Sequence, residues 1–150
     1  MPATDPFDLQ RFVSAQTDVF ENALDEMRAG RRRSHWMWFV FPQLRGLGIS
    51  PTARFYGIGS LDEARAYLAH PVLGPRLTLC VRTVMDIDGS SPHAIFGSPD
   101  DIKLCSCMTL FSVAATDADN IFHDALHRWC GGKPDEATLA LLGEAGPQKR

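Results

Sequence analysis

Apolar residues recur along this chain at helical spacing. Phe7, Leu9, Phe12 and Val13 form a first stripe, and Val19, Phe20, Ala23, Leu24 and Met27 form a second that ends at Gly30. Residues three and four apart share one face of a helix, so each stripe predicts an amphipathic helix with one buried side. The same spacing returns in Val72, Leu73, Leu77, Cys80, Val81 and Val84, and again in Leu104, Cys107, Met108 and Phe111. Start signals punctuate the pattern. Asp5-Pro6, Ser50-Pro51, Ser91-Pro92 and Ser98-Pro99 each join a capping side chain to a proline suited to the first helical turn. Ser60-Leu61-Asp62-Glu63 has the form of a capping box. His70-Pro71 opens a long helix that stops near Gly89, another runs from Pro99 to about Ala115, and two more cover Asp119–Trp129 and Pro134–Leu142. No segment alternates in the manner of a strand, and no Asn-Gly hairpin signal occurs. The expected fold is all-α: a compact multihelical single domain of about eight helices, several of them short. It spans residues 5–143, with 1–4 and 144–150 as flexible tails.

One stretch departs from the stripes. Arg31 to Gln43 packs three arginines, His35, Trp36, Trp38, Phe39, Phe41 and Gln43 into one short segment. Polar groups flanking a dense aromatic block are the usual make-up of a ligand pocket. On helical spacing His35, Trp38 and Phe39 share a face, while Trp36 and Val40 share another. Tryptophan and histidine each offer a flat ring and a polar nitrogen, and Gln43 offers both a donor and an acceptor. The same rings also suit a hydrophobic core, with His35 held by a backbone carbonyl.

A second segment complements it. Lys103 falls at the edge of the Leu104, Cys107, Met108 and Phe111 stripe, where a lysine must snorkel, pair or meet a ligand anion. Asp100 is three residues earlier and within pairing reach. Ser106 and Thr109 add hydroxyls further along. Asp100 and Asp101 also complement the helix dipole in a first turn. The loop Arg45-Gly46-Leu47-Gly48-Ile49-Ser50 precedes a helix but lacks the third glycine and the strand of a dinucleotide fingerprint, so it reads as a turn. His123 and His127 lie one turn apart, and Cys130 continues their face. Zinc uses such faces, but Asp124 stands where a zinc protease carries glutamate, and no fourth ligand is evident. These histidines read as solvated, and no metal or cofactor is assigned.

Composition narrows the function classes. The 150 residues are 45% hydrophobic and 22% charged, as in an ordinary globular domain, and the net charge of −3 argues against a dedicated nucleic-acid binder. No window approaches a membrane span, and the N-terminus lacks the basic start and apolar run of a signal peptide. The four cysteines, Cys80, Cys105, Cys107 and Cys130, form no C-x-x-C pair and read as reduced, mostly buried thiols. A cytoplasmic protein is the expectation that follows.

Four blocks carry a resemblance. They are Arg33 to Gln43 with Gly46-Leu47-Gly48, Ala64 to Leu77 around His70-Pro71, Ile95 to Lys103, and Ser106 to Phe111. Together they resemble the family known as domain of unknown function eighteen-ten, sometimes labelled "calpastatin". The similarity extends over about residues 5–143. The resemblance implies a compact helical fold and no particular activity. The calpastatin label has no support, since a disordered repeat inhibitor would show neither these stripes nor this lack of repetition. The blocks include His35, Trp36, Trp38, Gln43, His70, Asp100, Asp101, Lys103, Ser106 and Thr109, and leave out His123, His127 and the cysteines.

Two functions compete on these residues. In the first, Trp36, Trp38, Gln43, Lys103 and Ser106 line a pocket for a phosphorylated or nucleotide-like small molecule. A cation would meet the phosphate, rings the base, and an amide the edge. Should chemistry occur there, His35 or Asp101 would act as acid or base, and Lys103 would stabilise developing negative charge. In the second, the protein is a non-enzymatic helical adaptor whose aromatic block is core. Oligomeric state is not legible in the sequence.

Overall fold

Side-chain caps set half of the helix starts. A computed structural model describes residues 5–87, 91–115 and 120–145. The described residues form ten helices: α1 (Gln10–Thr17), α2 (Phe20–Arg28), α3 (Met37–Val40), α4 (Pro51–Phe55), α5 (Leu61–Ala69), α6 (Leu73–Met85), α7 (Pro92–Phe96), α8 (Asp100–Ala114), α9 (Ile121–Trp129) and α10 (Glu136–Ala145). The hydroxyls of Ser50, Ser60 and Ser91 accept from the backbone N–H groups of Ala53, Glu63 and Ala94. Asn120 and Asp135 do the same for His123 and Thr138. Each such bond satisfies one of the orphan donors of a first turn.

Two of the expected starts differ. The Asp5 carboxylate accepts from the N–H groups of Leu9 at 2.8 Å and Gln10 at 2.9 Å, so the chain turns once before α1 begins. Ser98 does not cap α8. Pro99 takes the N-cap position with no side-chain bond, and Asp100 and Asp101 supply the negative charge of the first turn. The ten helices exceed the expected eight or so, and three of them, α3, α4 and α7, have only four or five residues. Helices that short show too little periodicity to be counted separately. α10 runs to Ala145, past the expected domain end. The expected tail at 1–4, residues 146–150 of the expected tail at 144–150, the stop at Gly89 and the start at Asp119 lie outside the described residues. Strands are absent among the described residues, apart from an isolated parallel bridge between Leu44 and Ile58. No described helix is long and apolar enough to cross a membrane.

The core is organised around α8, which packs against α5, α7, α9 and α10. Leu104, Cys107, Met108, Leu110 and Phe111 are fully buried. Aromatic edges knit the layers together: Tyr67 meets Phe12 edge-on at 5.1 Å between centroids and Phe111 at 5.2 Å. Gly74 permits the tight corner between α5 and α6, because a Cβ there would lie 2.2 Å from the Leu68 carbonyl oxygen.

The cysteines depart from expectation. Cys105 of α8 and Cys130, the C-cap residue of α9, form a disulfide, whereas Cys80 and Cys107 are free and buried. The sequence separation of 25 residues matches no short cysteine motif, so only the packing of α9 on α8 brings the pair together. Burial pushes the Cys80 thiol up to about 12 and Cys107 well above the usual thiol range. Both remain protonated and inert at neutral pH.

Candidate functional site

The aromatic segment is held from beneath by a single carboxylate. Glu26 of α2 accepts from the N–H groups of Arg33 (2.7 Å) and Ser34 (2.9 Å), the Ser34 hydroxyl (2.7 Å) and the indole Nε1 of Trp36 (2.9 Å). Burial alone would raise the Glu26 pKa. These hydrogen bonds outweigh it and hold the carboxyl at about 2. The loop before α3 is thereby fixed, and Trp36 is drawn into the core at 1% exposure. Gln16 secures the far end of α3, its amide donating to the Phe39 carbonyl at 2.7 Å and to the Tyr67 hydroxyl at 3.2 Å.

Arginines tie this segment to its neighbours. Arg32 pairs with Asp100 at the start of α8 and also donates to the Phe96 carbonyl at 3.1 Å. Lys103 joins the same carboxylate, with Nζ 3.5 Å from Asp100. Two cations thus share one anion, leaving positive charge beside the aromatic block. Arg11 and Glu63 form a buried ion pair at 2.7 Å. Arg11 also donates to the Phe55 carbonyl at 2.7 Å and the Gly57 carbonyl at 3.0 Å, which pins the exit of α4.

These ties shape a narrow cleft among α3, α4 and α8. It is lined by Met37, Trp38, Phe41, Gln43, Tyr56 and Lys103, with Ala53 and Gly57 behind them. The cavity itself measures about 10 Å³, room for roughly one water. Gln43 is set in place beside the Leu44–Ile58 bridge: Ile58 N–H donates to its carbonyl at 3.0 Å. Gly48 lets the following loop close over it, because a Cβ there would sit 2.5 Å from the Ala53 Cβ and 3.4 Å from Gln43 Nε2. The side-chain amide of Gln43, the indole N–H of Trp38 and the hydroxyl of Tyr56 have no hydrogen-bond partner among the described residues. Convergent polar ends on apolar walls can orient a small ligand.

The other residues singled out from sequence lie elsewhere. Trp36 does not line the cleft, because its ring packs edge-on against Phe96 at 6.0 Å and its nitrogen is taken by Glu26. The shared face expected for His35, Trp38 and Phe39 does not form, since α3 begins only at Met37. His35 is exposed at the rim, 6.2 Å from the Trp38 ring. Ser106 is buried and donates to the Ile102 carbonyl at 3.3 Å, away from the cleft. Asp101 faces His93 at 3.2 Å. Thr109 donates to the Cys105 carbonyl and accepts from Asp135 N–H. The residues not anticipated are Tyr56, Phe41 and Met37 in the walls, and Glu26, Arg11 and Glu63 behind them. Tyr56 sits at the end of a helix whose start was legible, but its meeting with Gln43 depends on a bridge that no periodicity announces.

Comparisons with known proteins agree with this architecture. The conserved hypothetical protein Rv1873 from Mycobacterium tuberculosis, a solved crystal structure, is 58% identical and superposes with a TM-score of 0.89. The match covers 93% of this chain and 99% of that one. A search of curated proteins finds no match. The family model described as Protein of unknown function (DUF1810) matches residues 6–142, and the chain therefore belongs to that family.

Proposed function

We propose that the cleft between Trp38 and Lys103 binds the anionic end of a phosphorylated or nucleotide-like small molecule. The observation that carries this is the meeting of Trp38, Gln43, Tyr56 and Lys103, from three helices and a loop, around one hollow. Lys103 and Arg32 share the Asp100 carboxylate, and the partly exposed Lys103 ammonium can turn from it to an incoming anion. The Gln43 amide supplies donor and acceptor together, and the Trp38 ring supplies a stacking face. The small cavity sets a limit. As it stands the hollow holds roughly one water, so a phosphoryl or amide-sized group enters only as its walls move aside, and a base or sugar rests outside, over Trp38 and the exposed His35. Lys103 is one-third exposed and Trp38 half-buried, so both can swing to admit a ligand. Trp36 and Ser106 have no part in this site, and neither His35 nor Asp101 is given a catalytic role. A cytoplasmic setting, where such ligands abound, belongs to the same proposal.

One observation favours the adaptor instead. Ile49 is 82% exposed and Phe55 54% exposed on the loop and helix beside the cleft, and apolar side chains in that position suit a protein partner. A thermal-shift screen separates the two. Adenosine monophosphate, ribose 5-phosphate and inorganic phosphate are each titrated into the parent, Lys103→Ala and Gln43→Ala. A saturable rise in Tm for the parent that both variants lose supports the ligand site. No rise for any compound, or a rise unchanged in Lys103→Ala, removes it in favour of the adaptor.

A further inference from the structure

Beyond the cleft, one hollow lies beside the C-terminal half of α8, with walls at Val113 of α8, His123 and His127 of α9 and Leu139 of α10. It holds about 280 Å³, and no carboxylate, lysine or arginine lines it, so nothing there selects an occupant. Another hollow, of about 510 Å³, lies on the outer side of α4. Pro51, Arg54 and Phe55 face it, whereas Ala53 and Tyr56 face the Lys103 cleft. At 100° per residue these two sets fall on opposite sides of the helix, so α4 stands between the cleft and this outer groove.

The outer groove is built on arginine. Arg11 lies in it with a side chain only 6% exposed. It donates to the carbonyls of Phe7 (2.6 Å) and Asp8 (2.7 Å) on one wall and to that of Phe55 (2.7 Å) on the other, and Glu63 matches its charge. Both walls are thereby tied to one buried group. Arg45 is held by neutral groups instead. Its Nε donates to the Arg54 carbonyl at 3.1 Å and its Nη2 to the Gly57 carbonyl at 3.0 Å. The Arg54 side chain is exposed and has no hydrogen-bond partner among the described residues. Neither Arg45 nor Arg54 pairs with a carboxylate among the described residues. Asp8 is the one acidic residue of the lining. Phe55, 54% exposed, and the half-buried Phe7 supply apolar surface beside these charges.

We propose that this groove docks an extended acidic peptide of a partner protein, its carboxylates paired with Arg45 and Arg54 and an apolar side chain resting on Phe55. The planar guanidinium fork meets a carboxylate through two parallel hydrogen bonds. A guanidinium held by neutral carbonyls, as Arg45 is, keeps its charge for such a partner. Arginine beside an exposed aromatic ring is the make-up of binding hot spots. Shape selects a chain over a small molecule. The groove is open along the surface and would cover little of a free metabolite, which ligand pockets bury almost whole. Nucleic acid fits less well, because the chain carries a net charge of −3 and Asp8 stands in the groove. The proposal does not rest on the Lys103 cleft, and docking on the outer side of α4 leaves that cleft free.

The test follows fluorescence polarisation of a labelled short peptide, rich in glutamate with a central leucine and phenylalanine, titrated with the full chain. Saturable binding is expected, weakening as salt rises because the charge pairs lie at the surface. The same peptide with glutamine in place of glutamate should not bind. Arg54→Glu, at an exposed position without a side-chain partner, keeps the fold, which its melting temperature checks. It should weaken binding by about tenfold or more, and Phe55→Ser by a smaller factor. Arg82→Glu, the same charge reversal at an exposed position of α6 outside the groove, should leave binding unaltered. Absence of saturable binding, equal binding of the glutamine peptide, parental affinity in either groove variant, or an equal loss in Arg82→Glu would each overturn the proposal. Tighter binding of a single-stranded oligothymidylate than of the acidic peptide would overturn it too, and would assign the groove to nucleic acid.

Discussion

The cleft at Lys103 and the groove at His127 border the two halves of α8, yet they are held in different ways. The cleft is framed by directional polar bonds: five donors on Glu26, the Arg32–Asp100 pair, and the buried Arg11–Glu63 pair. Its cavity is small, about 10 Å³. The groove has apolar walls at Val113, Leu126 and Leu139 and about 280 Å³ of room. Hydrogen bonds with fixed geometry leave little slack, so the framework behind the first site is rigid and only its lining side chains can move. The second depends on how three helices, α8, α9 and α10, lie against one another. Preorganisation and adaptability are thus divided between the two ends of one helix.

The contrast between framework and lining can be broken at the tryptophans, where the largest effect is expected. Trp36→Ala removes a fully buried ring and leaves Glu26 short of a donor, so it should cost about 3–5 kcal/mol in urea unfolding. Trp38→Ala, at the half-buried cleft wall, should cost about 1 kcal/mol. Equal losses would show that the two rings do not divide into core and cleft.

Reduction of the disulfide comes next. Opening a crosslink across 25 residues should lower stability by about 3 kcal/mol in metal-free buffer. The loss should be local: amides of α9 should lose hydrogen-exchange protection while those of α3 keep theirs. Loss of protection around residues 37–43 would mean that the cleft leans on the groove.

Acid titration follows, with an effect smaller than losing Trp36 or the disulfide. The Glu26 carboxyl is held at about 2 in the folded chain against an ordinary value of 4.5. Its contribution is complete above pH 4.5 and is lost as the pH falls through that interval toward 2. The unfolding free energy of the parent in urea titrations should therefore drop across this window by about 2–3 kcal/mol more than that of Glu26→Gln. Parallel curves would show that the carboxylate is not held in its charged form by the 33–36 loop.

Much of this fold was legible because its signals are local. Ser50, Ser60 and Ser91 announce helices that start where their hydroxyls cap, and the stripes at 20–27 and 104–111 face the core. Gln43 and Lys103 stood out because an amide and a cation beside apolar stripes call for a partner. What escaped was long-range. Glu26 looked like any helix glutamate, and nothing in its neighbourhood foretells donors from seven to ten residues downstream. Trp36 and Trp38 differ by two positions, and only the loop anchored by Glu26 decides which ring is buried. The Cys105–Cys130 bond follows from the packing of α9 on α8, which spacing does not encode.

The central claim, that the Lys103 cleft is the anion-binding site, is tested most directly by ¹H–¹⁵N NMR of the full chain titrated with adenosine monophosphate. Saturable shifts of the Trp38 indole and Gln43 side-chain amide resonances are predicted, with the Trp36 indole, bonded to Glu26, unmoved. Shifts confined to α9 around His123 and His127, or no shift at all, would contradict it.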